Sequence, residues 1–95
     1  MIFRWSTEKN KQLIAKRSMS FDEIQEAIES GNLIDARVNT KEDYKHQIKL
    51  LVLIDGYIWE VASIVLQEKP KVIYLVTAFR NRKENKKYWG AKDEK

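Results

Sequence analysis

The 95-residue chain carries 18 Lys/Arg against 14 Asp/Glu, no cysteine and one histidine, enough for one domain with a modest core of the kind commonly helped by a bound partner or by homo-oligomerisation. The missing cysteines remove disulfide frameworks, thiolate zinc sites and cysteine nucleophiles and fit a reducing compartment, and His46 alone serves metal chemistry poorly, so neither metal nor cofactor is expected. From Arg80 to Lys95 there are seven Lys/Arg and three Asp/Glu while Met1 to Phe79 holds eleven of each, so the whole excess of +4 sits at one end and suggests a polyanionic partner, most commonly nucleic acid.

Met1-Ile2-Phe3-Arg4-Trp5 lacks the apolar core of a signal peptide, and no apolar run approaches the roughly 18 residues of a membrane span. A soluble, cytoplasmic protein without a membrane partner is expected. Ile2 to Trp5 reads as a short β-prone run suited to a sheet edge. Ser6 caps a polar helix through about Arg17, whose only strong apolar residues are Leu13 and Ile14 beside Ala15. Ser20-Phe21-Asp22-Glu23 forms a capping box, with Ile24, Ala27 and Ile28 continuing an apolar face and Gly31 ending the helix in a left-handed cap.

Leu33 to Val38 reads as a strand and Asn39 to Lys45 as a polar turn. Gln47 to Ile54 and Tyr57 to Leu66 make a hairpin about Asp55-Gly56, a dipeptide whose preferred turn matches the twist of paired strands. A turn at Gln67-Glu68-Lys69-Pro70 leads to a strand from Lys71 to Phe79. A basic helix from Arg80 to about Trp89 follows, with Gly90 at its end. The expected fold is therefore α+β: two N-terminal helices packed on an antiparallel sheet of about four strands, closed by a C-terminal basic helix. Residues 1–90 form the domain and residues 91–95 a frayed tail.

Phe3-x-Trp5, Asn10 and Lys16-Arg17-Ser18-Met19-Ser20-Phe21-Asp22-Glu23 resemble the opening of BrnT-like toxins, a branch grouped with the RelE/ParE-type toxins of bacterial toxin-antitoxin pairs. That opening has the form Phe-x-Trp, a helix with Asn, then Lys-His-Gly-Val-Ser-Phe-Glu-Glu. The end is similar too, a strand closing on Thr77-Ala78 and Arg80 before a basic helix with Tyr88. Gly31-Asn32-Leu33-Ile34-Asp35 and Thr77-x-Phe79-Arg80 also resemble a related group of small toxin-like domains. The resemblance spans residues 2 to 89. Two departures stand out: Arg17 occupies the position of the motif's histidine, and Phe79 adds a residue between Ala78 and Arg80, which displaces Arg80 unless the strand carries a bulge.

The resemblance implies an RNA-cleaving toxin of the mRNA-interferase kind, held inactive by a cognate antitoxin protein. Metal-free RNA cleavage uses the 2′-hydroxyl as nucleophile, so the protein must orient the backbone, move protons and stabilise the phosphorane. On a helix starting near Arg80, the cations Arg80, Arg82, Lys83, Lys86 and Lys87 fall within an arc of about 160°, and Asn81, Asn85, Tyr88 and Trp89 occupy another sector. One side can face phosphate while the other docks on the sheet. Arg80 and Arg82 suit the scissile phosphate, with Arg17, Lys83, Lys86 and Lys87 along the RNA backbone.

Glu60 and Tyr88 are the preferred proton-transfer groups. Glu60 shares the more apolar face of its strand with Ile58, Ala62, Ile64 and Leu66. If half covered there, its carboxyl would be pushed up by desolvation; on an open face near an edge it is a solubilising charge. Equally plain readings exist for the other residues. The basic helix can be a solvated surface, His46 a surface histidine, the tryptophans packing residues, and Arg17 a complement to its helix dipole. The rival function is a non-catalytic nucleic-acid-binding or protein-interaction domain of the same fold.

Overall fold

The computed structural model describes residues 1–38 and 46–93. The chain order is β1 (Ile2–Trp5), α1 (Thr7–Arg17), α2 (Phe21–Glu29), β2 (Leu33–Val38), β3 (Gln47–Ile54), β4 (Tyr57–Glu68), β5 (Lys71–Arg80) and α3 (Arg82–Asp93). The fold is α+β, as expected. Five strands lie in the order β1-β5-β4-β3-β2, the fifth being β1, which joins β5 in parallel at the edge. No helix among the described residues is long and apolar enough to cross a membrane. The polar turn expected at Asn39 to Lys45 lies outside the described residues.

Local chemistry fixes the first two helices. Ser6 caps α1 by accepting from the Lys9 N–H at 3.2 Å, and Ser18 ends it in the left-handed region. Only Leu13 of α1 is buried; Ile14 is about half exposed. Such a weak stripe needs other anchors. Asn10 supplies one, its Oδ1 accepting from the Phe21 N–H at 2.8 Å and so joining α1 to the start of α2. In α2 the Ser20 hydroxyl oxygen accepts from the Glu23 N–H at 3.1 Å and the hydroxyl donates to Glu23 Oε1 at 3.2 Å. Gly31, at φ +89°, terminates α2 where a side chain would be strained.

The β3–β4 hairpin turns through Asp55 (φ 49°) and Gly56 (φ 78°), both in the left-handed region as the tight hairpin turn requires. Its register, Ile54 opposite Tyr57 through Gln47 opposite Ile64, places Leu50, Val52, Trp59 and Val61 on one face. There they meet Phe21, Ile24 and Ile28 of α2 and Leu13 of α1, and Phe3, Met19 and Ile48, with Ile73, Leu75 and Ala78 of β5, belong to the same cluster. Burial of each large apolar side chain stabilises the fold by about 1.5–3 kcal/mol.

The opposite face carries Leu51, Ile58, Glu60, Ala62 and Ile64. Alternation along β5 is interrupted: Thr77 pairs with Ala62 and Leu75 with Ser63, leaving Val76 as an extra residue. This bulge resets the faces. Ala78 and Arg80 join Ile73 and Leu75 on the side of α1 and α2, and Phe79, opposite Glu60, takes the other side.

Two expectations need correction. Arg80 is the last residue of β5, not the first of the helix; α3 starts at Arg82 because Asn81 turns the chain, its Oδ1 accepting from the Glu84 N–H at 2.9 Å. Gly90 lies inside α3, which runs on to Asp93, so the segment expected to fray from residue 91 is in part helical.

Candidate nucleic-acid interface

α3 is polar, and hydrogen bonds dock it on the end of the sheet. The Asn81 N–H donates to Ile58 O and the Ile58 N–H donates to Asn85 Oδ1, both at 3.0 Å. Trp89 Nε1–H donates to Gly56 O at 3.0 Å, and Tyr88 meets the Trp89 ring edge-on with centroids 5.2 Å apart. Asn81, Asn85, Tyr88 and Trp89 therefore form the docking sector, as the helical wheel predicts. Arg82, Lys83, Lys86 and Lys87 remain exposed.

A bridge to β2 completes the docking. Arg37 holds Glu84 with both terminal nitrogens, at 2.8 and 3.1 Å, and donates from Nε to Asp35 at 2.9 Å. The hydrogen bond from Arg37 holds the Glu84 carboxyl below its ordinary value, aided by Lys87 and Lys83 nearby. Asp35 is lowered for the same first reason, and the Arg37 guanidinium is raised by its bonds to both carboxylates.

Beyond α3 the same sheet face opens into a groove of about 470 Å³ lined by Glu60, Ala62, Ile64, Val76, Lys49, Gln47 and Arg37 among others. Asn81 Nδ2 donates to Glu60 Oε1 at 2.9 Å, so one asparagine both starts the basic helix and orients the carboxylate in the groove. Glu60 is half-buried. Lys49 pairs with Ala62 and Leu51 with Glu60, which makes Lys49 and Glu60 diagonal neighbours on one face, about 7 Å apart. Half-buried Tyr74 and Phe79 lie on the same side, opposite Ile64 and Glu60.

The residues expected to act together are divided. Arg80 is on the far side of the sheet from Glu60, its guanidinium carbon 5.3 Å from the Tyr57 ring centroid and 5.6 Å from that of Trp59. Tyr88 lines a separate cleft under α3 with Leu51 and Ile58. Arg17, on the Arg80 side, donates from Nη1 to Ala78 O at 2.7 Å. Tyr88 and α3 thus lie on the Glu60 side of the sheet, though Tyr88 and Glu60 line different clefts, and Arg80 and Arg17 lie on the other side. His46 is exposed, and Trp5 and Trp59 pack in or against the core.

Sequence reasoning placed Asn81 in the docking sector but missed its cap and its bond to Glu60, and it missed Arg37 and Lys49. Asn81-Arg82-Lys83-Glu84 has the spacing of an N-cap signature, which would have set the helix start two residues later. Comparison with protein families and with curated proteins finds no match to this chain. The likeness to BrnT-like toxins rests on the short motifs themselves.

Proposed function

We propose that this chain is the toxin of a bacterial type II toxin-antitoxin pair and acts on RNA as a metal-independent endoribonuclease. The observation that carries the reading is Glu60: a half-buried carboxylate in a groove of about 470 Å³, oriented by the residue that caps a helix on which Arg82, Lys83, Lys86 and Lys87 are exposed. Arg82, Lys83, Lys86 and Lys87 hold the RNA backbone. Glu60 accepts the 2′-hydroxyl proton as that oxygen attacks phosphorus, and Lys49, its diagonal neighbour, meets the charge that builds on the phosphorane. The leaving 5′-oxygen takes its proton from solvent. A cognate antitoxin presenting an acidic segment neutralises the basic surface and blocks the groove.

A second reading, an RNA binder that inhibits without cutting, is favoured by the separation of Arg80 from Glu60 across the sheet. The two part in one experiment. Purified protein is incubated with total RNA in chelator and the products are examined for 2′,3′-cyclic phosphate ends. Cutting that Glu60→Gln abolishes without loss of RNA affinity supports the nuclease. Binding without cutting supports the inhibitor, and no binding rejects both.

A further inference from the structure

β1 accompanies β5 only as far as Leu75, opposite Trp5. Beyond it, among the described residues, no strand flanks the bulge at Val76 and the following residues on that side, and one stripe of α1 lies over them. Lys9, Gln12, Lys16 and Arg17, at i, i+3, i+7 and i+8, line a cleft of about 240 Å³ together with Leu13, Val76 and Thr77. Arg17 is pinned at the rim by its bond to Ala78 O.

The charge in this cleft is of one sign. The groove beside Glu60, the cleft under α3 with Asp35 and Glu84, and a cleft holding Glu23, Glu26 and Asp55 each contain carboxylates. Among the described residues no carboxylate lines the α1–β5 cleft, and none of its three cations takes part in an ion pair. Helix stabilisation accounts for Lys16 and Arg17, which sit in the last turn. It does not account for Lys9, whose charge lies in the first turn, against the positive end of the helix dipole.

We infer that the α1–β5 cleft binds the phosphodiester backbone of single-stranded RNA, as a second contact remote from α3. This rests on the RNA-acting reading, in its cutting or its binding form. Lys9 and Lys16 stand about 10 Å apart along the helix axis, a span suited to successive phosphates rather than one small anion. Gln12 adds a neutral donor, and among the described residues no aromatic ring lines the cleft, so the contact reads backbone and not base.

The test is fluorescence anisotropy of the whole protein with a labelled oligouridylate 12-mer over a salt series. Lys9→Ala/Lys16→Ala is compared with Lys11→Ala, on the opposite side of α1, and with Lys83→Ala/Lys86→Ala on α3; melting curves verify folding. Loss of two phosphate contacts lowers the slope of log affinity against log salt by about 1.4, with roughly tenfold weaker binding at moderate salt. Amide shifts induced by the oligomer at Val76 and Thr77 disappear in the same variant. An equal loss in Lys11→Ala, or an unchanged slope in Lys9→Ala/Lys16→Ala while the α3 variant is weakened, overturns the cleft and leaves the RNA reading standing. No binding by the unaltered protein removes both.

Discussion

Asn81 holds Glu60 through a 2.9 Å bond from Nδ2 to Oε1 while its Oδ1 accepts from the Glu84 N–H at the same distance. The carboxylate in the open groove and the start of the basic helix are thus set by one side chain. Asn81→Ala removes both bonds, and the lost cap costs about 1–2 kcal/mol, read as a lower urea midpoint with an unchanged m-value. Asn81→Asp keeps an acceptor for Glu84 but faces Glu60 with a second carboxylate. It therefore recovers the helix in hydrogen exchange without restoring the hold on Glu60.

The Arg37–Glu84 contact ties edge strand β2 to α3 and makes the docking sensitive to acid. Arg37 lowers the folded-state value of the Glu84 carboxyl, so this contribution is full above the ordinary value near 4.5 and is lost as pH falls through the depressed folded value. Asp35 acts in the same direction. Urea midpoints of the protein and of Arg37→Gln therefore converge between about pH 6 and about pH 3, with the unaltered protein falling faster. Because Arg37 is substantially exposed, added salt narrows the gap at neutral pH.

Gly56 sits at φ 78° and a side chain there would meet no atom within 4 Å. Gly56→Ala consequently tests backbone strain alone, and about 1–2 kcal/mol of stability should be lost. The same turn presents the carbonyl that accepts from Trp89. Amide exchange in α3 should accelerate along with exchange in the hairpin.

Much of the fold is legible where one residue type has one physical use. Asp55-Gly56 announces the hairpin, Ser20 to Glu23 the start of α2, and Leu33 to Val38 a strand. The faces of β5 are not legible in that way. Val72 to Phe79 is an almost continuous apolar run with no alternation to mark its faces, and the bulge at Val76 arises from pairing with β4, so the side taken by Arg80 depends on a register that no local pattern encodes. The extra residue at Phe79 hinted at such a bulge but not at its place. Arg37 was hidden for a different reason: its partner is 47 residues away. Glu60 was found because a lone carboxylate interrupts an apolar run, and the structure supplies its partner, Asn81.

The central claim is that this chain arrests growth by acting on RNA through Glu60 and the cations of α3. Induced expression in a bacterial host, with growth and total-RNA integrity followed together, tests it most directly beside Glu60→Gln and Lys83→Ala/Lys86→Ala. The expected result is arrest with RNA breakdown that both variants relieve. Unimpaired growth, or RNA breakdown that persists in Glu60→Gln, would contradict it.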